Sequence, residues 1–529
     1  MHLRKRHKRL LLGRRDVLKG AAVLIAPFTP LVAGCGPGGE PPPRLFQHGI
    51  ASGDPLPDGV ILWTRITTEE PIDVSYVVCD DPELKQRVAG GTVRTDAERD
   101  FTVKVDVRGL MPGRTYYYQF TASDDVSQVG RTRTAPSGAT SRLRFGMVSC
   151  SSFAHGYFHG YRAIAARRDL DAILHLGDYV YEYGSLEYGD VRAYEPEHEC
   201  LTLADYRMRH ALYKRDEDLR EVHRQHVFIT IWDDHEVAND GYDVGAENHT
   251  EGTEGAWLER KAAAQRAYRE WMPIREQADG RIFRKLGFGD LVDLTLLDTR
   301  YWKRTKQAAG ILGAPPAPDP TRVLLGDDQA AWMENELKTS TARWQLLGQQ
   351  IMVGNLILEA GKQLANLDQW HGYPEARKRL LGFLKDSGVK NVVVLTGDIH
   401  SSWANELVND PLDTTEYDPS TGRGSVAVEI VTPGITSPGI PAIFLGLVDK
   451  AKPLNPHIRW MELTKRGFVI LDVTPERLQS AWYHFEDITS KEPQTPAFAN
   501  AWSVKAGETR LVMDAAAAPD RDGAPAAAP

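Results

Sequence analysis

The chain has 529 residues, 42% hydrophobic and 26% charged, which are ordinary values for a globular protein long enough for more than one domain. Its formal charge is −9, but residues 1–34 hold eight Lys/Arg against one acid, Asp16; without them 55 basic and 71 acidic residues leave −16. So acidic a body excludes a general nucleic-acid-binding surface, because affinity for the phosphate backbone comes mainly from Lys and Arg.

In chain order, residues 1–34 open with a basic stretch, Arg4 to Arg9, then the twin arginine Arg14-Arg15 in GRRDVLKG and the apolar run AAVLIAPF. This is the layout of an export signal. The paired arginines point to the Tat machinery as a partner. LVAG before Cys35 has the form of a lipobox, which places a lipid anchor on the Cys35 thiol and the mature protein in the periplasm or on the cell surface. The apolar run is too short to span a bilayer. With Cys35 acylated, Cys79, Cys150 and Cys200 remain, an odd number that argues against a disulfide framework. Residues 35–44 are a Gly/Pro-rich linker.

Residues 45–138 read as short strands (GVILWTRI, DVSYVVCD, RDFTVKVDV, TYYYQFTAS) separated by turns, the pattern of a small all-β sandwich of fibronectin-III or immunoglobulin type. From 142 to 510 the pattern changes. Apolar runs LRFGMVS, AILHLG, VFITIW, LVDLTLLD, WQLLGQQIMV and NVVVLTG alternate with helical stretches YFHGYRAIAAR, TEGAWLERKAAAQRAYREWM, DDQAAWMENELKT and PEARKRLLGFLKDS. That alternation predicts an α/β domain with helix-covered sheets. The Pro/Gly-rich stretch 433–457 is expected to cover the site, RGFVILDVTPERLQSAWYHF to close the domain, and residues 515–529 to be disordered.

Four of the apolar runs end in groups that hold cations. LRFGMVS leads to Cys150. AILHLG leads to Asp178, with Tyr181 three residues on. VFITIW leads to Asp233, Asp234, His235 and Glu236, then Asn239 and Asp240. NVVVLTG leads to Asp398 and His400. Ligands of open α/β sheets lie beyond the carboxyl ends of strands. Several carboxylates gathered there need compensating charge, which metal ions supply. One such strand end reads equally well as an Asp capping the next helix; four in one domain read as a metal centre. Ser149 sits nearby without a His/Asp pair at nucleophile spacing.

FGMVSCSS, GDYVYEYG, WDDHEVAND and VLTGDIHSSW resemble the PhoD-like alkaline phosphatase/phosphodiesterase family, which has the metallophosphatase fold, a β-sandwich flanked by helices. The resemblance extends from SGDPLPDGVILWTRI through LERKAAAQRAYREWMPIR, LDTR, LLGDDQAAWMENEL, ARWQLLGQQ and DQWHGYP to the final strand. It implies one Fe(III) and two Ca(II). Cys150, Asp178, Tyr181 and His400 would hold iron; Asp178 would bridge to calcium with Asp234, Asn239 and Asp398. Oxygen donors suit Ca(II), and anionic thiolate and phenolate suit a trivalent ion. Asp233 and Asp234 both fit the ligand position; Asp234, farther from the strand, is favoured. Arg260 and Arg300 are candidate phosphate-binding cations, each equally readable as a salt-bridge residue. His235 is placed either against substrate or behind a ligand. The implied activity is hydrolysis of phosphate monoesters or diesters by a metal-activated hydroxide. The alternatives are a phospholipase-D-like phosphodiesterase acting on lipids and a non-catalytic iron/calcium-binding lipoprotein.

Overall fold

The computed structural model describes residues 44–529, apart from 309–316, 318, 360–361, 364–365 and 442–444. Arg14, Arg15, Cys35 and all of the 35–44 linker but Arg44 therefore lie outside the described residues. Among the described residues no helix is long and apolar enough to cross a membrane.

The Val-, Tyr- and Thr-rich N-terminal runs form β1 (Ile50–Leu56), β2 (Gly59–Arg65), β3 (Ile72–Cys79), β4 (Arg87–Thr95), β5 (Thr102–Arg108), β6 (Thr115–Ala122), β7 (Asp125–Val126) and β8 (Gly130–Arg133). Alternation with helices follows: β9 (Leu143–Val148), α1 (His159–Ala165), β10 (Ala172–His175), α2 (Leu203–Lys214), α3 (Glu217–Gln225), β11 (Val227–Thr230) and α4 (Trp257–Trp271). Next come β12 (Arg284–Phe288), β13 (Val292–Leu296), α5 (Gly326–Thr339), β14 (Trp344–Gln349), the short pair β15 (Ile357–Glu359) and β16 (Lys362–Gln363), and α6 (Pro374–Asp386). The chain ends with β17 (Val392–Thr396), β18 (Ser402–Leu407), β19 (Ala427–Val431), α7 (Leu445–Ala451), β20 (Ile458–Glu462), β21 (Arg466–Val473), β22 (Arg477–Phe485), β23 (Ala497–Lys505) and β24 (Val512–Asp514).

Two large sheets result. One runs β24-β23-β22-β21-β9-β10-β11-β1-β2-β5; the other runs β12-β13-β14-β17-β19-β18-β20. Their inner faces share one core. On β17, Val393 and Leu395 join Phe145 and Met147 of β9 in that core, while Val392 and Val394 join Leu380, Leu381 and Leu384 of α6 in another. This is the period of two expected of strands buried on both faces. The central strands β9, β10 and β11 are parallel, as are β13, β14, β17 and β19, so each group presents its carboxyl ends together. A parallel bridge from Ser149 to Gly434 ties the end of one sheet to the end of the other.

Three expectations are corrected. The N-terminal segment does build a sandwich, with Val60 and Leu62 packed against Val74, Tyr118 and Phe120. Yet it does not stand before the rest as a separate small domain. β1 pairs in parallel with β11, Ser52 opposite Val227, so one sheet runs through both parts, and Pro43–Pro529 form one compact unit. The tail 515–529 is docked: Arg521 pairs with Asp171 at 2.5 Å, and the Tyr117 hydroxyl donates to Ala526 O at 2.7 Å. Gln225 exchanges two bonds with the backbone of Ala528, at 3.1 and 3.0 Å. An Ala/Pro segment held by its carbonyls leaves no hydrophobic pattern to read. Finally, RGFVILDVTPERLQSAWYHF is not the last element but the β21–β22 hairpin, with β23 and β24 added outside it.

Candidate metal centre

The strand ends converge, and the backbone there is unusual. Cys150, Asp178, Asp240, Asp398 and His400 all have φ between 52 and 57°, the left-handed region that non-glycine residues rarely adopt. Such conformations persist only where surrounding structure over-determines them, and they cluster at functional sites. Gly177, at φ 101°, precedes Asp178 for a steric reason: a Cβ there would lie 2.4 Å from the Cβ of Asp233.

Four groups of ligand-type side chains have their donor atoms within 4.8 Å of one another: Cys150/Asp178/His400, Asp178/Asp234/His235, Asp233/Asp234/Asp398 and Asp234/Asp240/Asp368. Asp178 joins the first two and Asp234 the last three, so the groups form one chain of donors. Asp234 is thus the hub, whereas Asp233 is paired with Arg300. The Tyr181 hydroxyl donates to Asp178 Oδ2 at 2.8 Å and lies 3.2 Å from His400 Nε2 and 2.6 Å from Ser437 Oγ. His400 Nδ1 is 2.9 Å from Pro438 O, which leaves Nε2 facing Tyr181 and Asp178. The cluster is buried except at Asp240, which is partly exposed, and where the side chains of Asp398 and His400 keep 12 and 17% exposure.

Asn239 sits on the turn between Asp234 and Asp240. Its N–H donates to Glu182 Oε1 at 2.8 Å and its side-chain amide to Glu247. His235 stacks on Tyr181, centroids 4.2 Å apart, and its Nδ1 meets Glu182 at 2.8 Å, which leaves the other ring nitrogen for Asp178 and Asp234. Arg300 is fully enclosed: Nη1 meets Asp368 and Nη2 meets Asp398, both at 2.5 Å, and Nε meets Asp233. Arg260 bonds Glu199 at 2.8 Å, the Tyr206 hydroxyl at 3.0 Å and Asn248 O at 3.1 Å. The expectation that these two arginines offer themselves to a phosphate is therefore corrected; both are committed inside the protein, Arg300 among the carboxylates and Arg260 behind them.

The sequence analysis missed Asp368, which joins Arg300 to Arg304, and Ser437, which touches Tyr181 and the Cys150 carbonyl. Glu182, which holds His235, was missed too; Glu236, read from the sequence as one of the strand-end groups that hold cations, instead accepts from the N–H groups of Asp178, Tyr179 and Asp233. The only signal for Asp368 and Glu182 was their place within motifs already singled out, DQWHGYP and GDYVYE.

Electrostatics give the fit test for metal. Six carboxylates (Asp178, Asp233, Asp234, Asp240, Asp368, Asp398) meet two guanidinium groups, Arg300 and Arg304. Burial, with Asp368, Asp234 and Asp178 close by, pushes the Asp398 carboxyl up to about 7 against the pull of Arg300. Burial also opposes ionisation of Asp234, but Arg300, His235 and the Asp240 N–H outweigh it and hold that carboxyl at about 2. Burial and then Asp178 raise the Cys150 thiol. Asp178 Oδ1, Asp233 Oδ2 and Asp234 Oδ1 are buried without a hydrogen-bond partner. Orphaned anionic oxygens beside thiol, phenol and imidazole fit bound cations. Replacing Glu182 with glutamine, which frees His235 and Asn239, is expected to lower divalent-cation affinity roughly 10- to 100-fold. Titrating metal-stripped protein while following its melting temperature measures this.

Donors of this kind at the facing ends of two helix-flanked sheets form groups that could hold metal ions. The chain belongs to the PhoD-like phosphatase family: residues 145–482 match the PhoD-like phosphatase and residues 37–136 the PhoD-like phosphatase N-terminal domain. It is 36% identical over 456 residues to alkaline phosphatase D of Bacillus subtilis strain 168, covering 82% of this chain and 76% of that protein. A solved structure of PhoD superposes with a TM-score of 0.82 at 33% identity, covering 90% of this chain and 94% of that one.

Proposed function

We propose that the chain is a metal-dependent phosphoric ester hydrolase of the alkaline phosphatase D type, built on a metallophosphatase-like pair of sheets. The observation that carries this is the continuous run of donors from Cys150 to Asp368, with three orphaned carboxylate oxygens inside it. Cys150, Asp178, Tyr181 and His400 are the set suited to Fe(III). Asp178, Asp234, Asn239 and Asp398 are the set suited to Ca(II), of which the reading takes two. When bound, these ions supply Lewis acidity at the phosphoryl group and acidify water.

The chain's own residues set up that chemistry. Glu182 fixes the ring of His235, and Pro438 O fixes that of His400. Glu236 ties the Asp178 loop to the Asp233 loop through three N–H bonds. Asp178 accepts from the Tyr181 hydroxyl, which also lies 2.6 Å from Ser437 Oγ. Arg300 compensates the carboxylates. Burial excludes bulk water except at Asp398 and His400 and on the Asn239–Asp240 turn. Arg14-Arg15 and LVAGC support Tat export, with Cys35 as a lipid anchor at the cell surface or in the periplasm.

The test is metal analysis with a visible spectrum on folded, exported protein, followed by turnover of a phosphomonoester and a phosphodiester. Iron near one per chain, an absorption band lost in Tyr181→Phe, and activity removed by chelation and restored by Ca(II) are expected. Preference for the diester, including a lipid one, would select the phospholipase-D-like variant. Bound metal without turnover of either ester would leave a binding protein.

A further inference from the structure

Arg300 and Arg260 are engaged by the protein's own acceptors, so beside the metal ions no guanidinium has yet been assigned to the substrate. Arg466 is the first residue of β21, which runs antiparallel to β9 with Val469 opposite Met147; its start therefore lies beside the strand end that leads to Cys150. The next residue, Gly467, donates its N–H to Gly434 O at 3.1 Å, and Gly434 lies against Cys150. The guanidinium crosses Gly439, where a Cβ would sit 2.7 Å from Nη1; Pro438, just before, is the residue that orients His400. His155, whose Nδ1 lies 2.8 Å from Ser152 Oγ, stands between this region and the tyrosines of the site. His155 packs edge-on against Tyr188 at 4.6 Å, and Tyr188 stacks on Tyr181 at 5.6 Å.

What distinguishes Arg466 is its lack of partners. Among the described residues it forms no ion pair; Nη1 donates to Thr464 O, and Nε is buried with no acceptor. Arg304 is paired with Asp368 and Lys261 with Asp243. A cavity of about 380 Å³ is lined by Arg466 with Thr464, Lys465, Phe485, Glu486 and Asp487, so Arg466 borders open space, although the two acids there make the outer approach less favourable to an anion.

We propose that Arg466 is the substrate-recognition cation of this centre, its guanidinium taking the anionic oxygens of the phosphate ester at the His400 side of the cluster. The assignment rests on the hydrolase reading above. A planar fork of donors suits phosphoryl oxygens, and Arg466, which feels Glu462 only at a distance, breaks no salt bridge to bind them.

The experiment compares metal-loaded, full-length wild type with Arg466→Gln and Arg466→Lys. It measures kcat and KM for p-nitrophenyl phosphate and bis(p-nitrophenyl) phosphate, the inhibition constant of inorganic phosphate, and the melting temperature with and without phosphate. For Arg466→Gln, KM and the inhibition constant are expected to rise roughly 10- to 100-fold, as for a lost charge-assisted hydrogen bond. kcat should stay within a few-fold and the phosphate-free melting temperature should not move; lysine should restore part of the affinity. Unchanged KM and inhibition constant would overturn the proposal, as would a fall in kcat and melting temperature at fixed KM. If wild type turns over neither ester, the hydrolase reading fails on its own. The phosphate-induced rise in melting temperature then decides: its loss in Arg466→Gln supports the anion site, and its retention refutes it.

Discussion

Asp178→Asn is expected to cut kcat/KM by about 1000-fold or more, the scale of several kcal/mol of transition-state stabilisation. Asp178 is the one carboxylate common to the Cys150/His400 group and the Asp234/His235 group. Its Oδ2 accepts from Tyr181 and its Oδ1 has no partner. Asparagine keeps the shape but removes the charge that two neighbouring cations would share. The metal-free variant should melt no lower than metal-free wild type, because one uncompensated carboxylate is gone. Steady-state kinetics, metal content and thermal melts check both halves. Near-wild-type turnover would show that Asp178 does not join two metal sites.

Arg300→Met should act in the opposite sense on stability. Removing the guanidinium leaves Asp233 and Asp398 without their ion-pair partner and Asp368 with Arg304 alone, a loss of about 3–5 kcal/mol when one side of a buried ion pair is deleted. The deficit should be largest in chelator and shrink when metal is restored, since cations take over part of the compensation. Melting curves with and without chelator measure it. An equal deficit in both states would mean that Arg300 and the metals do not neutralise the same charge.

Much of this site was legible because its donors follow apolar runs: each parallel strand that ends in Gly-Asp, or just before Cys150, announces itself by composition. Asp368 and Ser437 were hidden for the converse reason. They lie on irregular segments that no periodicity marks and reach the site only through tertiary folding. α2 was missed because its inner face is largely polar, and α3 because Leu219 and Val222 are its only two apolar residues. α2 buries Arg209, His210 and Lys214 beside Tyr206 and Tyr213, so no apolar stripe repeats at helical spacing. The Thr202/Asp205 capping box and the Asp216 cap were the available cues. The strands of the N-terminal sandwich were readable from alternation, but their continuation into the main sheet was not, because alternation says nothing about which edge a strand joins.

That continuation governs how the molecule must assemble. Ser52 pairs with Leu62 locally but also with Val227, so the bonds of β1 to β11 wait until 175 further residues are available. Pairings of such long sequence separation slow folding, since loop closure is paid before the contact rewards it. Until β1 arrives, β11 is an open strand edge carrying Phe228 and Ile229, able to pair with another chain instead. A chain begun at residue 142 would keep every donor of the metal centre and yet meet that hazard permanently; the N-terminal strands act as the built-in guard of an aggregation-prone border.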